Sequence, residues 1–127
     1  MPAALNVIHT PSAPAAIGPY SQAIAVTGLV YTSGQIAIDP ATGSIDAKTI
    51  EAQTEQVIAN LKAVLEAAGS DLTKVVKTTC FLQSMGDFAA FNAVYEQYFT
   101  GKPARSCVEV SKLPKGALVE IEVTAVI

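Results

Sequence analysis

Apolar and polar positions alternate along the chain in a way that divides it into short strands, a helix, a strand, a second helix and two closing strands. Residues 23–26 and 29–33 are apolar or β-branched runs split by Thr27-Gly28, a tight reversal, and residues 35–38 continue the sheet beyond Gly34. Between 49 and 68, Ile50, Val57, Ile58, Leu61, Val64, Leu65 and Ala68 recur at helical spacing. Glu51, Glu55, Lys62 and Glu66 keep mostly off that stripe. Gly69 is placed to cap this helix. Residues 75–82 are β-rich and mostly apolar, as a central strand requires. Ser84-x-x-Asp87 then has the capping spacing that opens a second helix, with Phe88, Phe91, Tyr95, Tyr98 and Phe99 on its inner face. The order β-β-β-α-β-α-β-β predicts an α+β fold, an antiparallel or mixed six-stranded sheet with two helices on one face.

The closing strands carry the candidate chemistry. In 103–110, Arg105, Cys107 and Glu109 share one face and Ser106, Val108 and Val110 the other. In 119–125, Glu120 and Glu122 oppose the apolar Val119, Ile121, Val123 and Ala125. The link between them holds Pro114 and Gly116, so a hairpin is expected, with Cys107 opposite Glu120 and Arg105 opposite Glu122. One guanidinium would then meet two carboxylates. On residue chemistry alone such a cluster is more often a structural ion pair than a catalytic one.

Composition narrows the function. The 127 residues are about one domain, 1–127. Only 15% are charged, below the roughly 25% usual for a globular protein, and residues 1–38 hold no Asp, Glu, Lys or Arg. Prolines and glycines break that stretch, so neither a membrane helix nor a secretory signal fits, and a cytoplasmic location is expected. The scarcity of charge instead predicts surface buried against further copies of the chain, a homo-oligomer. A net charge of −3 without a basic stripe argues against nucleic acid. One histidine, His9, and two distant cysteines, Cys80 and Cys107, cannot assemble a metal site. No dinucleotide fingerprint or P-loop occurs, so no cofactor is implied.

With these elements in place, Ala16-Ile17-Gly18-Pro19-Tyr20-Ser21-Gln22-Ala23, Thr32-Ser33-Gly34-Gln35-Ile36 and Val76-Lys77-Thr78-Thr79 form an ordered set of motifs. Asp87-Phe88 with Asn92 and Tyr95, Pro103-Ala104-Arg105-Ser106, Leu113-Pro114-Lys115-Gly116 and Glu120-Ile121-Glu122 extend it along nearly the whole chain. The chain resembles the reactive intermediate deaminase (Rid, or YjgF) family, and most closely its 2-iminobutanoate/2-iminopropanoate deaminase branch. That resemblance implies a chorismate-mutase-like protomer, a homotrimer, and inter-subunit clefts that hydrolyse 2-imino acids to 2-keto acids and ammonia.

By the same resemblance Arg105 clamps the substrate carboxylate through two parallel charge-assisted hydrogen bonds. Glu120 orients a water and moves protons. Gly34 offers backbone hydrogen bonds, Tyr20, Ser33, Phe88 and Asn92 line or brace the cleft, and Cys107 binds through its backbone. Tyr20 is expected from a different part of the trimer than Arg105. Each residue also has a plainer use. Cys80 and Cys107 suit small buried positions, Phe88, Phe91 and Tyr95 suit a core, Asn92 and Ser33 can satisfy buried backbone groups, and Gly34 can mark a bulge. One departure from the family pattern is the short Thr100-Gly101-Lys102 link, where Lys102 replaces an aromatic residue and makes the rim cationic. Two other functions stand beside the deaminase: a non-catalytic trimeric binder of small carboxylates, and the ribonuclease or translation-inhibitor role attached to some relatives.

Overall fold

A computed structural model describes residues 4–127. Its order is β1 (Asn6–Ile8), β2 (Ala23–Val26), β3 (Leu29–Thr32), α1 (Ile50–Ala67), β4 (Val75–Leu82), α2 (Phe88–Tyr98), β5 (Ala104–Glu109) and β6 (Val119–Val126). The strands form one six-stranded sheet in the order β1-β2-β3-β6-β4-β5, antiparallel except for the parallel pair β4 and β5. Both helices lie on one face. There Ala25, Val30, Leu82, Val119, Ile121 and Ala125 of the strands meet Val57, Leu61, Val64, Leu65 and Phe91 of the helices in a single core. The α+β class, the six strands and the two helices agree with the sequence reading.

The helix boundaries follow from local chemistry. Thr49 accepts a hydrogen bond from the Ala52 N–H at 3.1 Å and opens α1. At its end Gly69 takes φ +83°, Gly69 N–H donates to Glu66 C=O and Ser70 N–H to Leu65 C=O, the double closure that a residue free to adopt positive φ permits. Ser84 caps a short 3-10 turn, Met85–Asp87, rather than α2 itself. The helix begins one turn later, and Tyr98 at its end is 37% exposed instead of facing inward.

Two strand expectations are corrected. Residues 36–38 are not a strand: Gln35 makes an isolated bridge to Ile121, and beyond it the carbonyls of Ile36 and Ile38 accept from the buried Asn60 amide of α1, at 3.2 and 2.9 Å. The sixth strand is instead Asn6–Ile8, which pairs with β2. The expected hairpin of the closing strands is also absent, because β4 lies between β5 and β6. The link passes over the end of β4, where Val110 N–H donates to Leu82 C=O and Gln83 N–H to Leu118 C=O. A connection of this length spans two strand spacings of about 4.8 Å each as readily as one.

Candidate functional site

Inserting β4 moves Arg105 away from both glutamates. Arg105 stands in the row Arg105, Thr78, Val123, and its side chain rises on the helix-covered face beside the buried Thr78. Glu120 stands in the row Val108, Phe81, Glu120, and alternation points it to the opposite, uncovered face. The facing pairs Arg105 with Glu122 and Cys107 with Glu120 therefore do not form within one protomer. The alternation within each strand was right, but the partner strand and the coincidence of the two charged faces were wrong.

Around Arg105 the partners are neutral. Its Nη1 donates to Asn92 Oδ1 at 2.6 Å, and its guanidinium carbon lies 4.7 Å from the Tyr95 ring centroid and 5.5 Å from that of Phe88. Phe88, Asn92 and Tyr95 come from one face of α2, at spacings of four and three residues. Among the described residues no carboxylate pairs with the guanidinium, although Glu96 lines the same groove. That open groove, of about 740 Å³, runs between α2 and the start of β5, with Phe99, Lys102 and Pro103 on its walls. Lys102 holds φ +52° on this rim.

Cys107 is half-buried on the same face. Burial pushes its thiol up from the ordinary value, with Arg105 acting in the opposite sense, and burial pushes the neighbouring Cys80 up to about 12. Neither is poised as a thiolate nucleophile. Its backbone is placed differently. Because Val110 N–H points to β4, alternation turns the N–H groups of Arg105, Cys107 and Glu109 outward along the sheet edge, and Glu109 Oε1 meanwhile accepts from Met85 N–H at 2.8 Å.

The remaining candidates gather elsewhere. Gly34 lies against Glu120: a Cβ added there would come within 2.8 Å of the Glu120 Cδ, so any side chain would displace the carboxylate. Burial, reinforced by Glu122, raises the Glu120 pKa above its ordinary 4.5. Gly34 also lines a cleft of about 250 Å³ with Tyr20, Ile17, Ile38 and Lys115. Ser33 braces this end, its hydroxyl donating to Ser21 C=O at 2.6 Å. The structure thus gathers these residues in two places: Arg105, Asn92, Phe88 and Cys107 in one, and Tyr20, Ser33, Gly34 and Glu120 in the other.

Sequence reasoning passed over three supporting residues. Gln22 is 2% exposed and its amide accepts from Thr10 N–H at 2.7 Å while donating to Pro14 C=O at 2.8 Å, which ties down the charge-free segment beside the Tyr20 cleft. Asn60 does the same for 36–38. Thr78, buried in β4, meets the Tyr95 hydroxyl at 2.8 Å. The available signal was polar residues on otherwise apolar stripes.

The family described as Endoribonuclease L-PSP matches residues 10–127, and the chain belongs to that family. It is 54% identical to a RutC family protein, slr0709 of Synechocystis, over 97% of each chain. To a 2-iminobutanoate/2-iminopropanoate deaminase of Salmonella typhimurium it is 50% identical, covering 95% of this chain and 97% of the other. The crystal structure of E. coli TdcF with bound serine superposes with a TM-score of 0.91 at 42% identity, covering 96% and 98%. The resemblance read from the motifs is therefore correct at the level of family and fold. No helix among the described residues is long and apolar enough to cross a membrane.

Proposed function

We propose that this protein hydrolyses 2-imino acids to 2-keto acids and ammonia, with Arg105 of one protomer facing Glu120, Gly34 and Tyr20 of a neighbour across a homotrimer cleft. The observation that carries the reading is the neutral setting of Arg105. A guanidinium held by an amide and two rings keeps its charge for an incoming ligand, and with one N–H given to Asn92 it retains enough donors to grip a carboxylate through two parallel bonds. The outward Cys107 N–H supplies a further donor on the same edge. Serine bound to TdcF and the deaminase name of the Salmonella relative both point to small α-substituted acids.

In the reaction, water adds to the C=N carbon while Glu120 takes one of its protons. Glu120 passes that proton to the nitrogen to complete the carbinolamine; the carbinolamine hydroxyl proton then moves by way of Glu120 to the nitrogen, the C=O forms as the C–N bond breaks, and ammonia leaves the keto acid. The raised pKa of Glu120 suits it to both proton transfers. An imine is already activated, so positioning and proton transfer suffice without a nucleophilic thiol. A net charge of −3 gives a ribonuclease role no electrostatic support.

The test generates 2-iminobutanoate and 2-iminopropanoate in situ with threonine dehydratase or an amino-acid oxidase and follows imine loss. Wild type should accelerate it, Arg105→Ala should abolish the effect, and Glu120→Gln should lower the rate by about 10²- to 10⁴-fold. Keto-acid binding without acceleration would assign the protein to carboxylate sensing instead.

A further inference from the structure

Beneath the Arg105 guanidinium lies a buried pair of hydroxyls that hydrophobic packing does not require. Tyr95 is 7% exposed and Thr78 fully buried, and their hydroxyls meet at 2.8 Å inside the core. Phenylalanine and valine would fill the same volumes. Two polar groups kept at such depth cost desolvation, which their mutual hydrogen bond offsets with only a weak further donation from Cys80 Sγ to Thr78 Oγ1 at 3.8 Å, so the bond itself has a consequence. Phe99 stacks on Tyr95 with centroids 4.4 Å apart and Phe91 flanks it at 5.5 Å, while the hydroxyl is tied to the central strand. The ring is thereby fixed in tilt and height. The guanidinium lies over this ring, 4.7 Å from the centroid.

We infer that Tyr95, locked by Thr78, is a positioning residue: a rigid neutral platform that sets the plane of the Arg105 clamp. This rests on the carboxylate-clamp reading above. A bidentate grip needs the guanidinium plane aligned with the carboxylate, and side-chain freedom in Arg105 would cost affinity with each misoriented rotamer. Asn92 fixes one end through Nη1, and the ring fixes the plane. An acidic support would orient the group equally well yet compete with the ligand for its charge. A ring does not.

The experiment compares wild type, Tyr95→Phe, Thr78→Val, the double variant and Thr78→Ser, measuring imine hydrolysis, 2-ketobutyrate binding by calorimetry and the thermal midpoint. Losing the lock should raise KM and the keto-acid Kd by about 3- to 10-fold while kcat stays within about twofold, the range expected for a weakened cation–π support. The double variant should be no worse than either single one, because both remove the same bond. Thr78→Ser keeps the hydroxyl and should restore binding. Binding of the uncharged 2-oxobutanamide should not differ among the variants. A lowered thermal midpoint with unchanged KM and Kd overturns the inference and leaves Tyr95 as packing alone. If wild type does not hasten imine loss, the deaminase reading fails and the calorimetric arm still decides the platform. Absence of keto-acid binding by wild type overturns both.

Discussion

Glu120 shows how one residue's surroundings set its chemistry. It shares the uncovered sheet face with Glu122 and leans over Gly34, and burial with that neighbouring charge raises its pKa above 4.5. As the base of the proposed reaction it must be ionised, so the acidic limb of the kcat/KM profile should lie above 4.5 and disappear in Glu120→Gln. The sign for stability is opposite. A carboxyl whose folded pKa exceeds its unfolded one contributes stability that is complete below the unfolded pKa and lost as pH rises through the folded one. Denaturation at a series of pH values should therefore show wild type losing ground to Glu120→Gln as pH rises from 4.5 through the raised value. A constant difference between the two proteins would contradict the shift. The place of Glu120 on a polar stripe was legible in the sequence, but its pressure against Gly34 was not, since residues so far apart in sequence meet only through the Gln35 to Ile121 bridge.

At the scale of elements, α1 does more than cover the sheet. Asn60, 1% exposed, supplies the partner that a neighbouring strand would have supplied to Ile36 and Ile38. The segment after Gly34 therefore leaves the sheet and forms the wall of the Tyr20 cleft. Asn60→Leu, close in volume, would take the side-chain donor from the part-buried Ile38 carbonyl and leave that of Ile36 only the Ile38 N–H, and urea denaturation should show a loss of about 1–3 kcal/mol with an unchanged m-value. Apolar residues 36 and 38 read as a strand because alternation reports which way side chains face, not where carbonyls find donors. The extents of α1 and β4 were legible almost to the residue, each being set by local periodicity and by Thr49 and Gly69. The partner of β5 was not, because turn residues show that a chain reverses without showing how many strands it passes.

For the whole molecule, the sheet face opposite the helices is the feature that remains to be covered. Val7, Ile24, Tyr31 and Thr124 form one row across it and Val108, Phe81 and Glu120 another, with Tyr31 and Val108 each 47% exposed. Apolar groups concentrated on one open face fit the self-association expected from the low charge content. In the proposed homotrimer this association brings the Arg105 half-site of one copy to the Glu120 half-site of the next. Light scattering should give three times the chain mass of 13.2 kDa for wild type, and Tyr31→Glu should both split the assembly and remove activity. A fully active monomer would rule out the shared cleft.

Local rules were enough for the sequence to determine the two helices, the central strand, the class of fold and the alternation within each closing strand, though not that Arg105 and Glu120 lie on opposite faces of the sheet. Periods of 2 and 3.6 act between near neighbours and need no knowledge of the rest of the chain. Only the tertiary structure decided that β4 separates β5 from β6, that residues 36–38 turn from the sheet to Asn60, and that Arg105 rests on an aromatic platform instead of a carboxylate. Strand order depends on which long-range pairings bury the most apolar surface together. The apolar strands β4 and β6 took the centre, and the strand bearing Arg105 was left at the edge.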